Sequence, residues 1–426
     1  MKHPPFRLSR HTGAQRPFDI KNAAGQARPG VRPPSGSTQS GVSSIASNAG
    51  FALAFVVFLF SGLSVRFVGR LFLADLVFPC ALVAVILFPS TRAYLKAHWC
   101  EVALLMGFPF VGLALDWLNQ CPLDLYLRGL SRNFVFVAAA IVSSAIARRM
   151  DRWRVVTLFC VLALSTPVAA LIQIGEDLGS ESAFLKYFGG WALILPIVVI
   201  MTRLVSPAVA GALMVPVGMV VAFGLSLRSF GGVLVLAGVF TMTARWWARG
   251  GRRILTACVL VIPVLFAVAA INLLQSDHVP AELRENWDAS NFQRLDTAID
   301  AWQGFLEKPL MGNGSWAHAL RYTIMNQTGL VVGVHSFILQ FAFEYGFFGL
   351  VFGAWLLWLG VQGVVSFLRP NDQVSERWMA VYVLIMFNFV YTVLMSPMGG
   401  YERIIAGVAL GIALSEIWDQ RQQLAR

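Results

Sequence analysis

The sequence predicts an all-α polytopic membrane helix bundle of about twelve spans with one long outer loop, and three observations predict it. The 426 residues are 57% hydrophobic and only 13% charged, a composition too apolar for a soluble domain. After residue 45 the apolar residues recur in runs of roughly 17 to 20 with almost no charge, which crosses ~30 Å of hydrocarbon at ~1.5 Å per residue. Such runs exclude a transmembrane β-barrel, whose strands alternate and are half as long. One stretch, Leu273 to His335, is polar for most of its length and ends in a histidine entering a new apolar run. Ionisable groups meet a water-borne substrate at few places in such a chain, so this stretch is where chemistry is expected.

Residues 1–45 are rich in Pro, Gly, Ser, Gln and Arg and read as a disordered cytoplasmic tail. The first apolar run starts too far behind the tail's basic residues for a cleaved signal peptide and reads as an uncleaved first span. Spans are expected near 46–64, 71–88, 102–118, 130–147, 155–173, 188–203, 208–226, 230–244 and 254–272, which together form a bundle over 46–272. The outer, periplasm-like loop is 273–335. The last three spans fill 336–418, near 336–365, 379–396 and 404–418, before a short cytoplasmic tail at 419–426. The run 336–365 is long for one crossing, so it begins above the membrane or tilts. No internal repeat of the transporter kind stands out.

The net charge of +11 sits in short gaps: Arg148, Arg149, Arg152 and Arg154 in one, Arg245, Arg249, Arg252 and Arg253 in another, with further basic residues in the tail. A positive-inside reading accounts for them and leaves nothing for nucleic acid to explain. The outer loop has the reverse balance, with Asp277, Glu282, Glu285, Asp288, Asp296, Asp300 and Glu307 against Arg284, Arg294, Lys308 and Arg321. Within it, Ser290 and Gln293 have capping-box spacing, and Leu295, Ala298, Ile299, Trp302, Phe305 and Leu306 follow at helical spacing until Pro309. That pattern predicts an amphipathic helix on the bundle or bilayer surface. The five cysteines lack metal-ligand spacing, so neither a zinc site nor a disulfide framework is implied.

Few residues can carry chemistry. Arg228 lies between two apolar runs with almost no polar loop. It is either an interfacial arginine that snorkels, or a fixed cation facing a cavity and suited to phosphate by its donor fork. Arg294 is read at the start of the loop helix, where free N–H groups favour an anion; alone, a surface arginine explains it as well. Arg228, Arg294 and Arg403 fall on one side of the expected topology, and their convergence would form a diphosphate pocket. His335 can accept a proton near neutral pH, as a base acting on a hydroxyl must, although a lone interfacial histidine is more often structural. Gln340 and Glu344 share a helical face four residues apart, while Gly346, Gly349 and Gly353 read as packing positions. There is no Gly-rich Lys-Ser/Thr phosphate loop and no His-Glu-x-x-His. The first outer loop, Arg66 to Arg70, carries no acidic pair to hold a metal, so no metal and no cofactor is expected.

Three groups of residues together resemble the bacterial O-antigen ligase and O-antigen polymerase superfamily. They are Arg228 in its Ser-rich turn; Arg294 followed by an amphipathic helix and Pro309-Leu310-Met311-Gly312-Asn313-Gly314; and His335-Ser336 leading to Gln340, Glu344, Tyr345, Gly346 and Gly349. The resemblance covers roughly residues 200 to 410, and it departs at Leu227, where the family often has Ser. It implies a GT-C-like, metal-independent, inverting glycosyltransferase of the inner membrane. Such an enzyme takes a glycan from undecaprenyl diphosphate at the periplasmic face and joins it to an acceptor glycan or lipid A core, among other polysaccharide-assembly proteins. By position, Arg228 and Arg294 would bind the diphosphate, His335 would orient or deprotonate the acceptor hydroxyl, and Arg403, Gln340 and Glu344 would contact substrate. The modest outer segments lean towards polymerase over ligase. A transporter or flippase of lipid-linked or anionic solutes is the rival from another class, and a scaffold without catalysis is a third.

Overall fold

The computed structural model describes residues 40–67, 69–172, 192–224, 227–244, 246, 251, 253–262, 265, 281–317, 334–369, 373–396 and 401–424. Two units divide the chain, residues 1–49 and 50–426. The described part of the first is the opening of helix α1 (Ser40–Phe60), which begins before the expected tail ends at 45.

In the second unit α1 is followed by the antiparallel ribbon β1 (Ser64–Phe67) and β2 (Gly69–Phe72), with Arg66 opposite Arg70. This ribbon is a local exception in an otherwise helical chain: across the short first outer loop the backbone pairs with itself. Helix α2 (Leu73–Leu87) breaks at Phe88 and turns by 95° into α3 (Pro89–Ala97). Pro89 cannot donate to the preceding turn, and it restricts Phe88 to an extended backbone. Then come α4 (Trp99–Leu118), α5 (Leu123–Arg149), α6 (Arg152–Ile172), α7 (Leu193–Leu204) and α8 (Pro207–Met219). Helix α8 runs into a π-helical turn, Val220–Gly224, before α9 (Arg228–Met242) and α10 (Arg253–Ile262). The loop helix is α11 (Ala281–Glu307), and α12 (Phe337–Phe367), α13 (Gln373–Met395) and α14 (Glu402–Leu424) complete the order.

Among the described residues five helices are long and apolar enough to cross a membrane, or six if α2 and α3 are one bent span. The chain is thus a helical membrane protein by composition and length, with helix in each predicted window. Small residues let the helices approach. A Cβ on Gly407 would come 2.6 Å from the carbonyl oxygen of Phe136, which seats α14 on α5, and one on Gly211 would come 2.7 Å from that of Gly238, which seats α8 on α9.

Polar contacts sort the helix ends into two groups. At one end Arg152 bonds Glu416 at 2.8 Å, Arg149 reaches Ser90 and Thr91, Arg148 covers the Tyr94 ring, and His98 stacks on Trp418. These arginines are the ones the sequence groups in a single gap. At the opposite end Arg403 bonds Asp75 at 2.6 Å, and the Tyr401 hydroxyl meets both Ser61 and Ser165.

Candidate functional site

The site is built around a reversal that the apolar run 336–365 conceals. Within α12, Gly346 has φ 61 and ψ −143, so helix direction is lost there. A Cβ on Gly349 would overlap the carbonyl of Phe341, and one on Gly353 would come 3.0 Å from the Cα of Ile338. In a continuous helix these pairs would be far apart, so Phe337–Tyr345 folds back antiparallel along the start of Phe347–Phe367. Length and composition alone would count Phe337–Phe367 as one crossing; Phe347–Phe367 is the part that can cross.

The short arm descends into the bundle. Glu344 and Tyr345 bond Arg132 on α5, whereas Phe337 packs on Phe136, one turn closer to the arginine-rich end. Ser336 caps the arm by accepting the Leu339 N–H at 3.3 Å. His335, half-buried just before that cap, lies at the far end of the arm from the Gly346 turn.

Helix α11 runs alongside this arm. Ala301 is buried against Val334 and Phe343, with Leu339 and Ala317 around them. Arg294 is half-buried two helical turns before Ala301 on the same face, about 10 Å along the axis. Ala301, seven residues after Arg294, thus packs in the same cluster as Val334, the neighbour of His335. The structure corrects one expectation, since α11 begins at Ala281 and Arg294 sits mid-helix, where its neighbours' N–H groups are already bonded. Arg294 can contribute a guanidinium but not a helix N-terminus. The helix is a single element of 27 residues.

Arg228 is the first residue of α9, directly after the π-helical turn Val220–Gly224 and Leu227, whose φ of −91 and ψ of 56 are non-helical. Its side chain lies outside the described residues, as do Arg321, 273–280 and 318–333 of the loop. The expected convergence of Arg228 with Arg294 therefore also lies outside them.

The remaining candidates hold other partners. Glu344 is 1% exposed, and both its oxygens take the Arg132 guanidinium. Its Oε1 also accepts the Trp316 N–H at 3.1 Å and the Gln340 Nε2 at 3.0 Å. Arg403 is buried on Asp75. Gln340 and Glu344, expected at the substrate, are thus engaged with each other and with Arg132, and Arg403 with Asp75, although the buried Arg403 Nε has no hydrogen-bond partner among the described residues.

Sequence reasoning missed the residues that complete this network. Asn133 donates to the Tyr345 oxygen at 2.8 Å and Arg132 to the same oxygen at 3.0 Å. Ser315 gives its hydroxyl proton to Asp116 at 2.6 Å, so the 2.6 Å bond between Ser315 and Tyr345 is donated by the tyrosine. Asp116 also accepts the Ser315 N–H at 2.6 Å. The loop 309–316, the direct continuation of α11, is thereby tied to α4, α5 and the descending arm. Its backbone adds Asn313 N–H to Phe343 O at 2.9 Å, Gly314 N–H to Glu344 O at 2.8 Å and, from the other side, Phe347 N–H to Pro309 O at 2.7 Å. The signal available in the sequence was an ionisable residue inside an apolar window, which Asp75, Asp116 and Arg132 all supply.

No curated protein matches the chain. Residues 213–354 match the family described as O-antigen ligase, a stretch that runs from α8 through the Gly346 reversal and contains Arg228, Arg294 and His335. Over that stretch, about a third of its length, the chain is similar to the O-antigen ligase family.

Proposed function

We propose that the chain transfers an undecaprenyl-diphosphate-linked glycan to an acceptor sugar at the periplasmic face of the inner membrane, by metal-independent, inverting glycosyl transfer. The reading includes about twelve crossings with both termini in the cytoplasm. The observation that supports it is the packing of α11 on the descending arm through Ala301, Val334 and Phe343, within a matched region that contains Arg228, Arg294 and His335.

In this mechanism His335 takes the proton of the acceptor hydroxyl as its oxygen attacks the anomeric carbon. The bond from that carbon to the diphosphate oxygen breaks on the opposite face, which inverts the configuration. Arg228 and Arg294 hold the diphosphate and offset the charge it gains as it leaves. A positioned base contributes about 10²–10⁴-fold, and one fixed donor at a developing oxyanion about 10²–10³-fold. No metal enters: a chelator leaves the purified protein's activity intact, whereas activity lost on chelation and restored by magnesium or manganese overturns that part.

Single replacement of Arg228, Arg294 and His335 in the source cell, followed by gel analysis of surface polysaccharide, tests the assignment. A polymerase leaves single repeat units in place of long chains; a ligase leaves long lipid-linked chains unattached to lipid A. Normal polysaccharide from all three stably expressed variants would sink it and favour a transporter or scaffold.

A further inference from the structure

The network around Glu344 is too costly to be a by-product of packing. Arg132 is fully buried, and a guanidinium taken out of water needs its partners fixed in place. Its fork grips Glu344, and its face covers the Trp316 ring at 4.8 Å from the centroid. Trp316 has φ 61, a left-handed backbone that a bulky residue adopts only under constraint. The constraint is Glu344, which accepts the Trp316 N–H. Three bodies therefore meet at one ion pair: α5 through Arg132, the descending arm through Glu344, and the loop continuing α11 through Trp316. At the loop's start Asn313 bonds the carbonyls of both Gly304 on α11 and Phe343 on the arm.

We propose that Arg132 and Glu344 are positioning residues: a clamp that fixes α11 against the descending arm and so sets the spacing of Arg294 and His335. The catalytic consequence rests on the glycosyl-transfer reading; the mechanical one does not. Neither residue touches substrate. Losing the clamp frees the Trp316 backbone to relax and leaves α11 held to the arm by the bonds of Asn313 and Gly314 and by the apolar contact of Ala301 with Val334 and Phe343, so the spacing of the two elements loosens.

The test uses the full chain with its native cysteines replaced and spin labels at Gln303→Cys and Phe348→Cys, both exposed and outside the network. The parent gives one narrow distance distribution. The double variant Arg132→Met with Glu344→Leu removes both charges together, a change that buried pairs often tolerate without loss of stability. Its distribution broadens, and glycan transfer falls about 100-fold, in kcat more than in KM, as expected for reacting groups displaced by about 1 Å. Arg132→Lys keeps the charge without the fork, restores part of the kcat, and serves if the double variant fails to fold. An unchanged narrow distribution overturns the clamp. So does a lowered thermal midpoint with native kcat per folded molecule, because the pair would then only hold the fold. A parent that shows the narrow distribution but transfers no glycan removes the proposed reaction and leaves the clamp standing.

Discussion

Gly349 lies directly against the carbonyl of Phe341, a residue two turns earlier in what the sequence writes as one apolar run. That contact exists only because the chain reverses at Gly346, where φ is 61 and an added Cβ would come 2.7 Å from the carbonyl oxygens of both Pro309 and Leu310. Gly346→Ala therefore meets a strained backbone and a closed space at once. It should lower stability by about 1–3 kcal/mol or more. Gly349→Ala should be at least as damaging, because its neighbour is backbone and has nowhere to move. Gly50→Ala, with nothing within 4 Å, is the control and should fall within about 0.5 kcal/mol of the parent. Thermal unfolding of the purified proteins in detergent measures all three, and equal midpoints would contradict the reversal.

Arg403 and Asp75 form a second buried pair, 2.6 Å apart, that joins the first turns of α14 and α2. Removing one partner leaves a charge stranded among apolar side chains, at a cost of about 3–5 kcal/mol. Arg403→Met alone should therefore reduce the amount of folded protein in the membrane, and adding Asp75→Leu should recover it. Replacing Arg294 or His335 should instead leave abundance normal while surface polysaccharide changes. Expression blots beside polysaccharide gels separate the two behaviours. Normal abundance with lost polymer in Arg403→Met would return that arginine to the substrate.

The bundle was legible because lipid imposes a length and a polarity on every crossing segment, and both are written locally. The site was legible only in part. Arg294 and His335 stand out as polar residues in the one long polar stretch, but the packing of α11 on the arm that follows His335 depends on the reversal. The reversal depends on Pro309–Trp316, a loop that supplies hydrogen-bond partners at Phe343, Glu344 and Phe347. A glycine in an apolar run reads as a packing residue until that partner is known. Arg132 was passed over because it opens an apolar window near Arg128, where an interfacial role suffices, and its partner is 212 positions away in sequence. Charge inside a span was the clue, and at Asp75, Asp116 and Arg132 it marks a structural pair.

Helix α11 carries apolar residues on two faces. Thr297, Ala301 and Phe305 are buried, while Leu295, Ile299, Trp302 and Leu306 form an exposed stripe. An unpartnered stripe of that size on a membrane protein belongs against acyl chains, with the acidic face turned to water. In reconstituted vesicles, a fluorophore at Trp302→Cys should be quenched strongly by lipids with a shallow nitroxide, and one at Gln303→Cys only weakly. Equal quenching at both positions would place the helix away from the bilayer.

Cys121 offers a chemical probe of the turn between α4 and α5, outside the spanning helices. Burial, then the charge of Asp116 and a 3.6 Å hydrogen bond to its carboxylate, push the thiol up to about 11. The reactive species is the thiolate, so at neutral pH a chain retaining Cys121 alone should alkylate about 100-fold more slowly than a free thiol of ordinary acidity. The rate should climb about tenfold per pH unit until the thiol ionises near 11. Asp116→Asn removes the adjacent charge, so the thiol should ionise at lower pH and the neutral-pH rate should rise. Because the same carboxylate holds Ser315, that variant should also loosen the loop, which would expose the thiol and move the rate in the same direction. The pH midpoint distinguishes the two effects: loss of charge shifts the profile to lower pH, whereas better access raises the rate at every pH by one factor. A profile centred on the ordinary thiol value in the unaltered protein would contradict the contact between Cys121 and Asp116.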